Sequence, residues 1–407
     1  MLLMYCKVPQ NNLKQNRSTF APHAARGDRR EQPSALYLHV PFCLGKCRYC
    51  DFYSVPFSND VAGAYLKAAA AELRLTADCL ALPLSTVFVG GGTPTVLGPA
   101  LLDRLLELVS DLIDDQTEVT VEANPCTIGR EIVRTLSASG VNRVTLGAQS
   151  FNIDELRVLG RLGRPEHVYQ AVTLLRDGGV RNIGLDLIYA IPGQTHASWM
   201  SSLAKALDLA PAHLSCYALS FEPGTPIHAD LLAGRAAEMD DSAQKACYEA
   251  AIEAAAAGGM EHYEISNFAR PGMQCRHNLT YWHNEPYLGI GPAAASYLAG
   301  TRRTNLPDLQ AYTTALLDGR LPPCTAERLT GRQATAEALM LALRLIQGVD
   351  RKGFKSCFGE DPVEAFPTSM ARYGQMGAMI ITPSQVRLSA EYLFVSDVIL
   401  ADILAEA

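Results

Sequence analysis

The sequence predicts an α/β protein in which six β/α units form a partial barrel, followed by a small α+β, winged-helix-like module. Three observations carry this reading. Between residues 35 and 258 a short apolar run, a turn holding Gly, Pro or Asn, and a segment of helical period recur. The runs at 36–40, 86–89, 118–122, 143–148, 182–188 and 213–219 are nearly continuous rather than alternating, as strands covered on both faces of a parallel sheet read. These strands also end in polar or glycine-rich residues, among them Cys43, Gly91, Glu122, Gln149, Asp186 and Glu222. In a barrel the carboxyl ends of all strands converge on one mouth, so these groups could share a site. In an open sheet the outer ones would lie too far from the switch point.

The helices expected between the strands are 62–80, 99–113, 130–139, 167–177, 198–209 and 242–257. Beyond residue 330 the spacing of Ala336, Leu339, Met340, Leu343 and Ile346 predicts a helix over 333–347, ended by Gly348. Short strands at 385–388 and 392–395 and a closing helix at 397–404 complete the module. The expected division is a basic, disordered tail over 1–33, the barrel over 34–258, a capping segment over 259–330 and the terminal module over 331–407.

Composition narrows the function classes. With 48% apolar and 19% charged residues, the chain of 407 reads as globular. No apolar run approaches the roughly 20 residues needed to cross a bilayer, so no transmembrane segment is expected. A net charge of −7 disfavours nucleic acid as a partner. Eleven cysteines without the spacing of a disulfide framework point to reduced thiols and a cytoplasmic protein. Residues 1–33, basic and poor in acids, leave organellar import as a minor alternative.

Directly after the first strand come Cys43, Cys47 and Cys50 in a C-x3-C-x2-C spacing, with Tyr49 before the last. A structural zinc site wants four ligands, and an ordinary [4Fe–4S] cluster wants four thiolates. Three thiolates imply a cluster with one iron left open for another ligand; unliganded core cysteines are the bland alternative. Gly91 and Gly92 allow close approach of backbone to a ligand, or form a turn and nothing more. Glu122, Gln149 and Asp186 offer acceptors and an amide to a cationic ligand with a ribose diol, or brace the barrel by hydrogen bonds. His39 is expected to order the cysteine loop. Cys6, Cys79, Cys126, Cys216, Cys247, Cys324 and Cys357 read as buried or inert.

The cysteine spacing resembles the radical S-adenosylmethionine (SAM) superfamily. That resemblance implies that SAM chelates the open iron and that the reduced cluster can cleave it to a 5′-deoxyadenosyl radical. From about residue 36 to the C-terminus the chain is similar to the oxygen-independent coproporphyrinogen oxidase family. The likeness rests on Tyr37-Leu-His39-Val-Pro41-Phe42-Cys43, Glu122-Ala-Asn-Pro125, Leu146-Gly-Ala-Gln-Ser-Phe151, the stretch from Asp186 to Thr195, and Glu222-Pro-Gly-Thr225. It implies SAM contacts from Tyr37, Tyr49, Gly91, Gly92, Thr93, Glu122, Gln149, Arg161 and Asp186, with the Arg161 guanidinium facing the ribose or carboxylate region.

Within that family the residues resemble the heme-chaperone branch more than the oxidase. Phe52 stands where oxidase-type loops carry a further cysteine. Tyr263-Glu-Ile-Ser-Asn-Phe268, the H-N-x-x-Y-W box His277-Asn-Leu-Thr-Tyr-Trp282 and Glu337-Ala-Leu-Met-Leu-Ala-Leu-Arg344 look like chaperone signatures. Gly163 and Ala295 depart from histidines frequent in relatives. The resemblance implies a cytoplasmic carrier that binds a [4Fe–4S] cluster, SAM and heme and passes heme to acceptor hemoproteins, with an electron donor as partner if SAM is cleaved. The alternative is an oxygen-independent coproporphyrinogen III oxidase, so enzymatic turnover stays open. His277 is the candidate axial ligand of heme, with the Cys275 thiolate as the other candidate; alternatively His277 braces a loop while Tyr281 and Trp282 pack the barrel bottom.

Overall fold

Strands this apolar must be covered on both faces, and the chain does so by laying six of them side by side in order. In the computed structural model, which describes residues 32–407, β1 (Ala35–Val40), β2 (Thr86–Gly91), β3 (Glu118–Ala123), β4 (Arg143–Gln149), β5 (Asn182–Tyr189) and β6 (His213–Ala218) each pair in parallel with the next. Parallel pairing requires a crossover between neighbours. The helices are α1 (Asn59–Thr76), α2 (Gly98–Glu107), α3 (Arg130–Ala138), α4 (Ile153–Val158), α5 (Pro165–Asp177), α6 (His196–Asp208), α7 (Pro226–Leu232) and α8 (Asp241–Ala257). Leu36, Val87, Val121, Leu146, Leu185 and Leu214, one from each strand, are fully buried. Each such side chain contributes roughly 1.5–3 kcal/mol relative to exposure.

The sheet extends past these six strands and does not close. β7 (Glu261–Glu264) and β8 (Asn267–Ala269) add antiparallel beside β6, while β9 (Leu288–Ile290) lies parallel beside β1. The order is β9-β1-β2-β3-β4-β5-β6-β8-β7. These last three strands, three or four residues each, are too short to carry a readable period. Helix α9 (Arg276–Trp282) follows β8, and α10 (Leu309–Leu317) packs on α1. A buried carboxylate ties this region to the barrel: Glu72 of α1 accepts from the Gly291 amide (2.8 Å), Asn305 Nδ2 (2.8 Å) and the Tyr312 hydroxyl (2.7 Å).

The terminal module holds α11 (Gly331–Ala342), a three-stranded antiparallel sheet and the closing helix Ser396–Ala405. Several expected boundaries move. The helix expected over 333–347 stops at Ala342, because the following residues bond to the barrel's edge: Ile265 N donates to Arg344 O and Ile346 N to Tyr263 O. The strand expected at 392–395 is a 3₁₀ turn, Ala390–Val395, winding directly into the closing helix. Its place in the sheet is taken by Val349–Asp350 and Met379–Ile381. Helix 99–113 ends at Glu107 and continues only as a short 3₁₀ turn, Ser110–Leu112. The tail read over 1–33 lies, apart from its last two residues, outside the described residues.

Candidate functional site

The carboxyl ends of the parallel strands open into a cavity of ≈ 200 Å³ lined by Cys43, Cys47 and Cys50 together with Tyr49, Gly91, Gly92, Thr93, Glu122, Gln149, Arg161 and Asp186. Residues spread over more than 140 positions of sequence thus share one wall. Of the expected SAM contacts only Tyr37 lies elsewhere, in an adjoining cavity that runs down the barrel axis.

The cysteine loop is pinned at several points. Thr93 N donates to Phe42 O (2.7 Å), Phe57 N to Cys43 O (3.1 Å) and Arg48 N to Leu159 O (3.0 Å). His39, fully enclosed, has Nδ1 3.0 Å from the Tyr37 hydroxyl and Nε2 3.0 Å from the Tyr53 carbonyl, three residues past Cys50. Burial pushes its pKa down to about 4, so it orders the loop as a neutral imidazole. Among the described residues no three His, Cys, Asp or Glu side chains converge on a point suited to one metal ion. The three cysteines line one cavity together. Burial, reinforced by the neighbouring thiols, pushes Cys50 up to about 11; a metal cation would reverse that, since a coordinating thiol is deprotonated.

The glycine run serves the protein before any ligand. A Cβ on Gly90 would fall 2.6 Å from Glu122 Oε2, one on Gly91 2.6 Å from the His39 ring, and one on Gly92 2.5 Å from the Phe42 carbonyl. Gly91 also has φ +106° and ends β2, so it does not sit in a loop that would tolerate a larger residue. Its amide donates to Glu122 Oε2 at 3.1 Å, leaving the rest of the carboxylate to the cavity. Burial raises Glu122 above the usual carboxylate range, with the Gly91 amide opposing. Asp186 is pushed up to about 7, by burial first and by Glu122 in addition, against a hydrogen bond from Ser215 and the field of Arg143. A cationic ligand would oppose both shifts, because a nearby positive charge favours the ionised carboxylate.

Arg161 lines the cavity and also makes contacts within the protein. Its Nη1 donates to Cys47 Sγ (3.5 Å) and its Nη2 to the Gly147 carbonyl, so the guanidinium braces the cysteine loop against β4. Tyr49 packs in a satellite core of Leu159, Ile188, Ile191, Leu219 and Ile227. Sequence reasoning read Cys126 as buried or inert; it is half-buried and lines the thiol cavity, and its one signal was its position just beyond Glu122-Ala-Asn-Pro125. Cys357, read the same way, is exposed, whereas Cys216 and Cys247 are buried.

The second cavity, ≈ 370 Å³, shares Phe52, Gly91, Glu122, Thr145, Asp186 and Tyr217 with the first and continues to the barrel's lower end. Tyr37, Phe88, Tyr281 and Tyr287 line it with aromatic surface. His277 is there too, with Nδ1 2.8 Å from Thr86 Oγ1 and Nε2 2.9 Å from the Tyr281 hydroxyl. Burial pushes its pKa to about 3.

Comparison with known proteins places this geometry. Residues 37–206 match the radical SAM superfamily. The heme chaperone HemW of Bacillus subtilis is 34% identical over 359 residues, covering 87% of this chain and 95% of that one. The chain belongs to the HemW family of radical SAM proteins. HemW of Mycobacterium tuberculosis H37Rv is 38% identical over 324 residues, 78% of this chain and 83% of the relative. The coproporphyrinogen III oxidase HemN of Escherichia coli superposes with a TM-score of 0.80 over 93% of this chain and 91% of its own, at 21% identity; that likeness shows the shared fold. Among the described residues no helix is long and apolar enough to cross a membrane.

Proposed function

We propose that this chain is a cytoplasmic heme carrier that holds a [4Fe–4S] cluster, SAM and heme, and delivers heme to acceptor hemoproteins. The observation that carries the proposal is the convergence of three thiols and two buried carboxylates with raised pKa on one cavity, in a chain alike to HemW over nearly its whole length. Cys43, Cys47 and Cys50 would hold the cluster. Glu122 and Asp186 would receive the amino and ribose groups of SAM, with Gln149, Thr93, Tyr49 and the Gly91–Gly92 backbone around it, Arg161 bracing the loop and Tyr37 reaching from below. When bound, cluster and SAM together supply one-electron chemistry, and an electron donor is then a further partner. Heme would occupy the axial cavity, where His277 presents a neutral imidazole whose Nε2 would exchange the Tyr281 hydroxyl for iron. We propose the division into a tail over 1–33, the barrel over 34–258, a capping segment over 259–330 and the terminal module over 331–407.

The test is anaerobic reconstitution followed by parallel assays of heme binding and coproporphyrinogen III turnover. Stoichiometric heme binding without conversion is expected. Release of carbon dioxide with formation of protoporphyrinogen IX would overturn the carrier in favour of the oxidase, which the axial cavity open to the SAM site could also serve.

A further inference from the structure

Two neighbouring strands end, beside the thiol cavity, in backbone that residues other than glycine rarely adopt. Gln149, the last residue of β4, has φ +66°, and Ala190, one past β5, has φ +59°. The Ser150 amide donates to Ala148 O at 2.9 Å, closing a three-residue turn around Gln149 of the rare, strained γ type. Such conformations persist only where their surroundings over-determine them.

One carboxylate braces both, beside Ser202 Oγ on the Phe151 amide (3.2 Å) and the Ile191 carbonyl on the Gln194 amide (2.8 Å). Glu155, on α4 and 4% exposed, accepts from Ser150 Oγ (2.5 Å), Gln194 Nε2 (3.0 Å) and Ser198 Oγ (2.6 Å). Ser150 Oγ accepts in turn from the Asn152 amide at 2.9 Å, so Glu155 fixes the exit from the Gln149 turn. The carbonyl end of Gln194 accepts from the Ile191 amide at 3.4 Å, so the same group fixes the exit from the Ala190 turn. Leu159, the residue that caps the C-terminus of α4, also receives the cysteine loop, through Arg48 N on Leu159 O. The three ends that meet at the cavity are therefore joined through one short helix.

We infer that Glu155 is a positioning residue of the SAM site, acting through Gln149 and the end of β5, an inference that rests on the reading of this cavity as a SAM site. Replacing the carboxylate by an amide turns one acceptor oxygen into a donor facing donors. Both turns then lose an anchor while volume is preserved.

The experiment compares the reconstituted wild-type chain with Glu155→Gln, Gln149→Ala and the double variant. Equilibrium dialysis measures SAM affinity, and hydrogen exchange follows the amides of 150–152 and 191. In Glu155→Gln, iron content is expected to hold, exchange to rise in both segments, and SAM affinity to fall about tenfold, the scale of one hydrogen bond to a charged group. In the Gln149→Ala background the same substitution should cost much less, because groups acting through one another are non-additive. Unchanged exchange, unchanged affinity, or fully additive losses each overturn the inference. Should Glu155→Gln fail to fold, Ser150→Ala removes a single hydroxyl and is expected to loosen the Gln149 turn alone with a similar loss of affinity; no loss there overturns it too. Wild-type protein that binds no SAM would take down both the SAM site and this inference, whereas normal wild-type binding with an indifferent variant removes only the inference.

Discussion

Cys43, Cys47 and Cys50 lie on one short loop held by bonds to Leu159, Phe42 and Phe57, so each can be replaced without unravelling the barrel. Changing any one to Ala is expected to abolish the iron and the visible charge-transfer absorption of a reconstituted cluster; retained iron in all three single variants would remove the assignment. Asp186 gives a second prediction, from pH. Its pKa of about 7 in the ligand-free chain means that a cationic ligand must displace a proton below that value. SAM affinity should weaken as pH falls from 8 through about 7 toward 6 and vary far less in Asp186→Asn, measured by dialysis at constant ionic strength. The linked stability runs the other way. The folded chain holds this proton more tightly than the unfolded one, so ionisation between about pH 4 and 7 lowers stability as pH rises. Of these residues the cysteines and both carboxylates were legible from residue type at strand ends. The part played by the glycines was not, because His39, Phe42 and Glu122 reach them only in the folded barrel.

At the scale of elements, the contact between α11 and the barrel edge gathers buried charge. Arg344 lies 4.6 Å from the Trp282 ring centroid and 4.0 Å from Glu264, both partners almost wholly buried. Arg344→Ala should destabilise the chain by about 2 kcal/mol, below the roughly 3–5 kcal/mol of a tight buried pair, since Asn267 and Ser266 still donate to Glu264. Denaturant unfolding checks this. A loss confined to a few tenths would show that the cation contributes only packing. The same contact explains the shortened helix. Apolar period predicted its continuation to Gln347, but backbone bonding to Tyr263 and Ile265 outweighs another turn of helix. Helical period is local and strong; the competing partner lies some eighty residues earlier in the chain. The strand expected at 392–395 failed for a related reason, since a four-residue apolar run fits a strand or a helical turn equally well.

For the molecule as a whole, two joined cavities predict two separable ligands. His277→Ala should weaken heme binding without abolishing it, because most of the free energy comes from burying porphyrin faces at roughly 25 cal/mol per Å²; SAM affinity should not move. Heme titration followed by absorbance, beside SAM dialysis on the same samples, checks both halves. Loss of both ligands would show that the two cavities do not bind independently. By itself the sequence determined the repeating β/α order, the parallel sheet, the thiol loop and the strand ends where polar residues collect, because these follow from local period and from residue types that are costly to bury without a partner. Only the tertiary structure decided that β7, β8 and β9 extend the partial barrel's sheet at its margins. Only it turned Arg161 toward Cys47, brought Cys126 to the cavity wall, gave both nitrogens of His277 partners within the protein, and put two strained turns under one carboxylate. Most of those outcomes rest on contacts between residues some forty to 190 positions apart, which periodicity along the chain does not encode.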